Sequence, residues 1–168
     1  GVGGLILNGN GQMKVNTTDF FQYAGPTILK GSTLYLNSTE ITKVGIGKSS
    51  KLIMAGGALV TKGDNNTDET YTFPIEVQDG TYSIFAPHRR CVIRNKVTGS
   101  GTLQIDIPYV AEFFEGDWSG FTGRLVANGV NSNNSEKSTL IIQKGKNPFG
   151  NVVVDLKGNA ALTGWDTN

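Results

Sequence analysis

Short apolar segments recur along the whole chain, separated by polar residues and glycine. They occupy residues 5–7, 27–29, 34–36, 52–54, 58–60, 75–77, 82–85, 91–93, 103–105, 124–126, 140–142 and 152–154. Most of their side chains belong to Val, Ile, Leu and Thr, of which the β-branched Val, Ile and Thr favour extended backbone, and the residues between them form turns readily. No window of eleven or more residues keeps an apolar stripe at helical spacing. The pattern therefore predicts an all-β chain.

Tight hairpin turns are scarce for so many predicted strands. Asp79-Gly80 is the one Asx-Gly pair that stands cleanly between two alternating segments, the first ending at Val77 and the second beginning at Tyr82. Strands that are not joined by hairpins can instead pair with the strand one full turn later in a solenoid. A solenoid requires internal repetition, which the chain contains.

The internal repeat has a spacing of 98 residues and relates residues 1–36 to residues 99–142. Four landmarks keep this spacing without a gap: Gly3 with Gly101, Asp19 with Asp117, Gly25 with Gly123, and Gly31 with Gly129. After Gly129, residues 131–135 look inserted. We therefore expect residues 1–168 to form a single segment of right-handed, single-stranded parallel β-helix with about four to eight coils.

The repeated motif also points to a family. Residues 1–36 combine GxGxLxL, an aromatic-x-Gly motif about twenty residues later, and Gly-x-x-Leu-x-Leu. This resembles the autotransporter-associated β-strand repeat of bacterial surface proteins, and residues 99–126 resemble a variant found in large surface proteins of Bacteroidetes, some of which carry pectate-lyase-like β-helices. The resemblance implies a β-helix in an exported or surface-attached protein. Residues 61–90 match no repeat, and Ala24 replaces the threonine of the usual Thr-Gly pair.

Composition and charge exclude several classes of function. The chain has 23 glycines, a net charge of +1, one cysteine (Cys91) and one histidine (His88). The near-zero charge argues against a nucleic-acid partner, and no apolar run is long enough to insert in a membrane. Cys91 cannot form an intramolecular disulfide and is predicted to be buried. A single histidine supports neither a His-based metal site nor a Ser-His-Asp triad, so we predict no catalytic residues, no metal site and no cofactor.

The best candidate for binding is a run of cations at residues 88–96. If this run is a strand, Cys91, Ile93 and Val97 point inward, and the side chains of Arg90, Arg94 and Lys96 point outward. A row of cations on one face could hold an anionic glycan, since Arg binds carboxylates in a bidentate manner. The alternative is that these cations lie on an ordinary solvated outer face.

Two further features allow both a functional and a structural interpretation. The spacing of Asp64, Asn66 and Asp68 resembles the opening of a calcium loop but lacks the glycine and glutamate that follow in such loops, so a solvated loop is the alternative. The aromatic side chains near the repeated glycines either anchor the loops to the core or offer sugar-stacking surfaces. They are Phe20, Tyr23, Trp118 and Phe121, of which Tyr23 and Trp118 are the candidates for stacking.

Taken together, these features predict a non-catalytic structural or presentation module of an exported or cell-surface bacterial protein, with carbohydrate or adhesion contacts on an outer face. The alternative is a non-catalytic portion of a β-helix polysaccharide lyase or glycoside hydrolase whose catalytic groove lies in other coils. We expect the chain to be part of a longer protein, to contact the rest of that protein, and to be extracellular, with any export signal outside the printed residues.

Overall fold

The computed structural model describes residues 2–63, 69–88, 91–109, 112–131, 137–143, 149 and 152–165. In this part of the chain the backbone winds into a parallel β-solenoid of about six turns. The first two coils contain β1 (Leu5–Asn8), β2 (Gln12–Val15), β3 (Thr27–Lys30), β4 (Thr33–Leu36) and the helix α1 (Thr39–Val44).

Each of the following four coils contributes three strands. These are β5 (Leu52–Met54), β6 (Ala58–Thr61), β7 (Glu69–Tyr71), β8 (Ile75–Val77), β9 (Tyr82–Ala86), β10 (Cys91–Ile93), β11 (Val97–Gly99), β12 (Thr102–Ile107), β13 (Glu112–Phe114), β14 (Gly120–Phe121), β15 (Arg124–Gly129) and β16 (Ser138–Gln143). The last coil contains β17 (Val153–Gly158) and β18 (Ala160–Trp165).

Three parallel sheets form the walls of the solenoid. Sheet A has the order β1-β3-β5-β8-β11-β14, sheet B the order β2-β4-β6-β9-β12-β15-β17, and sheet C the order β7-β10-β13-β16-β18. Paired strands are separated by one coil, which ranges from 20 residues between Tyr82 and Thr102 to 29 residues between Arg124 and Val153. The predicted parallel β-helix is therefore confirmed.

The core is a stack of inward-facing side chains from alternate strand positions. Leu34, Leu36, Leu103 and Ile105 are fully buried, as the Leu-x-Leu pattern predicts. Cys91 is also buried, and so are its neighbours Ile93 and Val97. Leu5 and Leu7, in the first coil, are half-buried because no coil covers them among the described residues.

Glycines with positive φ form the corners between sheets A and B. The first five of these corners contain Gly9, Gly31, Gly56, Gly80 and Gly99, with φ between 67° and 98°. Gly80 belongs to the Asp79-Gly80 turn that resembles a hairpin signal, yet β8 and β9 on either side of it lie in different sheets. The turn changes the direction of the chain from one wall to the next.

The spacing of 98 residues connects different walls of the solenoid. Leu5 lies on β1 in sheet A, whereas Leu103 lies on β12 in sheet B. The same pattern of strand and turn residues therefore occurs in two different sheets. The division into repeat units 1–36 and 99–142 stays a prediction.

The helix α1 stands in the second coil where later coils have a strand of sheet C. The Ser38 hydroxyl accepts a hydrogen bond from the backbone N–H of Ile41, and the Gly45 N–H donates to the carbonyls of Ile41 and Thr42 at the other end. The helix packs near β7, the edge strand of sheet C. It therefore covers a sheet edge that would otherwise be open.

Candidate functional site

Two of the three predicted cations lie at the corner between β10 and β11. The side chains of Arg94 and Lys96 are 54% and 64% exposed, so they point outward as predicted. They flank Asn95, whose buried side-chain amide donates to the Phe73 carbonyl at 2.7 Å. Arg90 lies outside the described residues.

Both cations pair with carboxylates of the next coil. Arg94 Nε donates to Glu115 Oε2 at 2.6 Å, and Lys96 Nζ lies 3.9 Å from Asp117 Oδ2. Two other outward pairs also join different coils, Lys51 with Glu76 at 2.5 Å and Arg124 with Asp155. These contacts neutralise much of the charge that the cations would offer to an anionic glycan.

Asp117 is held as a carboxylate by its own loop. The Ser119 hydroxyl donates to Asp117 Oδ1 at 2.7 Å, and the Ser119 backbone N–H donates to the same atom at 3.1 Å. These hydrogen bonds lower the pKa of Asp117, and the positive charge of Lys96 contributes in the same direction. This local network orders the exposed loop before β14.

Replacing Ser119 with alanine should therefore raise the pKa of Asp117 towards its ordinary value, which a ¹³C NMR titration of the carboxyl group would measure. Because the folded-state pKa is depressed, the carboxylate stabilises the fold above the unfolded-state pKa, and this contribution is lost as the pH falls through the folded-state value. Lys96→Ala should raise the pKa of Asp117 less, because the charge of Lys96 lowers this pKa less than the hydrogen bonds from Ser119 do. An unchanged pKa in Ser119→Ala would contradict this assignment.

The residues whose spacing resembles a calcium loop lie in the segment before β7. Asp64, Asn66 and Asp68 lie outside the described residues, and only the backbone of Glu69 is described, as part of β7. Among the residues that are described, no group of three His, Cys, Asp or Glu side chains is arranged to hold a metal ion.

The predicted aromatic anchors are mostly internal. Trp118 and Phe121 are 1% and 0% exposed, so Trp118 cannot serve as a stacking surface for a sugar. Tyr23 is half-buried and its hydroxyl lies 2.7 Å from Thr27 Oγ1, while burial raises the pKa of the phenol. Phe20 also packs against the core.

A polar network that the sequence analysis did not identify crosses the outer face of sheet B. The Tyr82 hydroxyl donates to Gln104 Oε1, and Gln104 Nε2 donates to Asp106 Oδ1 at 2.7 Å. Asn128 Nδ2 donates to the same oxygen at 2.8 Å. These four residues come from β9, β12 and β15, which are successive strands of the sheet. We refer to them as the sheet B network.

A groove adjoins the sheet B network where the strands of this wall end. Its first depression, of about 330 Å³, contains Lys14, Tyr35 and Lys62. The second, of about 270 Å³, contains Asp106, and both include Val60 and Thr61. The remaining side chains of the second depression are largely apolar, and they include Ala86, Pro87, Pro108 and Val130.

Alternation along the chain could have indicated the outward direction of this network. Gln104 and Asp106 alternate with the buried residues Leu103, Ile105 and Ile107 on β12. The register between coils, which brings Asn128 beside Asp106, required the structure.

Comparisons with protein-family models, curated proteins and solved structures yield no significant match. Within the described part of the chain, no helix has the length and apolar character needed to cross a membrane.

Proposed function

We propose that the chain is a rigid, non-catalytic presentation module of an exported or cell-surface bacterial protein. The observation that carries this proposal is the continuous in-register pairing of parallel strands from coil to coil, reinforced by outward ion pairs that join different coils. An array of this kind holds its two ends at a fixed separation, which suits a spacer.

The assignment to an exported or cell-surface bacterial protein rests on a resemblance. The motifs in residues 1–36 and 99–126 resemble the autotransporter-associated repeat, including its variant in Bacteroidetes surface proteins. A composition rich in glycine, asparagine and threonine and poor in cysteine is also common among bacterial surface and secreted proteins. The partners we propose are the rest of the parent chain and a surface glycan.

The alternative is a non-catalytic portion of a β-helix polysaccharide lyase or glycoside hydrolase. The observation that favours it is the groove beside sheet B, which could guide a polysaccharide toward catalytic residues in other coils. The ion pairs of Arg94 and Lys96 favour the spacer, because their partners Glu115 and Asp117 are occupied in contacts between coils.

A pair of spin labels tests rigidity along the solenoid axis. Lys14 and Lys157 occupy equivalent outward positions on β2 and β17, which are separated by six coil spacings. At ~4.8 Å per spacing, their Cα atoms should lie about 29 Å apart. Lys14→Cys and Lys157→Cys, introduced together with Cys91→Ser, should give a narrow distance distribution by pulsed electron paramagnetic resonance.

The same doubly labelled chain in concentrated urea provides the control and should give a broad distribution. A broad distribution in the folded protein would contradict the rigid module. Cleavage of pectate, alginate or another polysaccharide by the chain would contradict both assignments, because each of them is non-catalytic.

A further inference from the structure

We infer that the outer face of sheet B binds a neutral oligosaccharide, with the Tyr82 ring as the stacking surface and the Asp106 carboxylate as the acceptor for sugar hydroxyls. This inference rests on the proposed function and names the chemistry of its glycan contact. It assigns that contact to the sheet B network and not to Arg94 and Lys96.

Asp106 differs from four other outward carboxylates because it has no cationic partner in the described parts of the chain. Glu76, Glu115, Asp117 and Asp155 each pair with a lysine or arginine of another coil. Asp106 accepts hydrogen bonds from the side-chain amides of Gln104 and Asn128 through one oxygen, Oδ1. A carboxylate without a cationic partner would repel an anionic ligand.

Two acceptor oxygens of the sheet B network remain for a ligand. Asp106 Oδ2 and Asn128 Oδ1 have no hydrogen-bond partner among the described residues, and the amides of Gln104 and Asn128 each direct one of their two N–H groups to Asp106 Oδ1. An ionised carboxylate accepts hydrogen bonds and does not donate them. A ligand that bonds to the Asp106 carboxylate must therefore supply donors, as the hydroxyl groups of a sugar do.

Tyr82 provides an exposed aromatic ring in a fixed position. The residue is 46% exposed, and its hydroxyl is held by Gln104, which limits the freedom of the ring. An aromatic face with an anchored polar end suits the apolar C–H face of a sugar ring. The other outward tyrosine of this wall, Tyr35, is less available because Lys14 Nζ lies 5.9 Å from the centre of its ring.

The apolar depression beyond Asp106 extends the site along the strand direction. Ala86 lies four positions after Tyr82 on β9, which corresponds to about 13 Å at ~3.3 Å per residue. A ligand that stacks on Tyr82 and bonds to Asp106 would continue into the depression that includes Pro87, Pro108 and Val130. This length and the mixture of polar and apolar surface fit a short oligosaccharide.

The test uses the full chain and tetrasaccharides of glucose, mannose, galactose and xylose, with tetragalacturonate as the anionic comparison, in isothermal titration calorimetry. We expect at least one neutral tetrasaccharide to bind and tetragalacturonate not to bind at this site. Asp106→Ala should weaken binding by about 10-fold or more, since it removes a charged acceptor. Tyr82→Ala should weaken it by about 2- to 10-fold, and Tyr82→Phe should retain more affinity because it keeps the ring.

The matched control is Asp79→Asn, which alters a carboxylate outside both the sheet B network and the groove. It should leave the affinity unchanged. The inference is overturned if no neutral tetrasaccharide binds, or if Asp106→Ala and Tyr82→Ala bind as tightly as the original chain. It is also overturned if only tetragalacturonate binds and Arg94→Ala abolishes that binding. In each of these cases the spin-label distances still report independently on the proposed rigid module.

Discussion

Replacing Gly99 with alanine is expected to destabilise the solenoid by about 2–5 kcal/mol. Gly99 has a φ of +98°, which disfavours any residue with a Cβ atom. A Cβ at this position would lie 2.1 Å from the carbonyl oxygen of Val77 in the preceding coil. That carbonyl accepts hydrogen bonds from the N–H groups of Ser100 and Gly101, so moving it away would disturb the contact between two coils.

Gly56→Ala is the matched control because it separates backbone strain from the steric clash. Gly56 occupies the equivalent corner two coils earlier with a φ of +88°, and a Cβ there would meet nothing within 4 Å. We expect this variant to lose only about 1–2 kcal/mol, from backbone strain. Chemical denaturation followed by circular dichroism would measure both variants. Equal losses in the two variants would contradict the role assigned to close packing at Gly99.

The sequence predicts those parts of the architecture that depend on alternating apolar positions in a strand and on glycine in a turn. The inward positions of Leu34, Leu36, Leu103 and Ile105 follow from alternation alone, and each is buried in the structure. The corner glycines follow from the need for positive φ between short strands. These features depend on a few neighbouring residues, so they can be recognised without knowledge of which coils pair.

The helix α1 is not predicted by the pattern of apolar residues. Six residues are too few for the apolar periodicity that identifies a helix, so only the local end signals, Ser38 and Gly45, could have indicated it. Its position over the edge of sheet C depends on the winding of the whole chain.

The candidate site was less predictable because it is made by contacts between coils. Alternation correctly predicts that Arg94 and Lys96 face outward, but their pairing with Glu115 and Asp117 depends on the length of one particular coil. The same applies to Asp106 and Asn128, which are separated by one coil in sequence and adjacent in sheet B. A coil length that varies from 20 to 29 residues prevents such neighbours from being identified by counting.

Replacing Trp118 with alanine is expected to cost about 3–5 kcal/mol, as is typical of a large aromatic residue removed from a core. Trp118 is 1% exposed, and its ring centre lies 4.6 Å from that of Phe114 and 5.6 Å from that of Phe121. Phe149 packs against the same group, with its ring centre 4.7 Å from that of Phe114. Alanine would leave a cavity at the corner that joins β13 to β14.

Trp118→Phe distinguishes packing from hydrogen bonding at this corner. Trp118 Nε1 is buried and has no hydrogen-bond partner in the described part of the chain, so phenylalanine removes a polar group that the fold does not use. Phenylalanine also keeps an aromatic ring against Phe114 and Phe121, and we expect it to retain most of the stability lost in Trp118→Ala. Denaturant unfolding would compare the two variants. A loss in Trp118→Phe as large as that in Trp118→Ala would mean that the indole N–H, and not the packed ring, stabilises this corner.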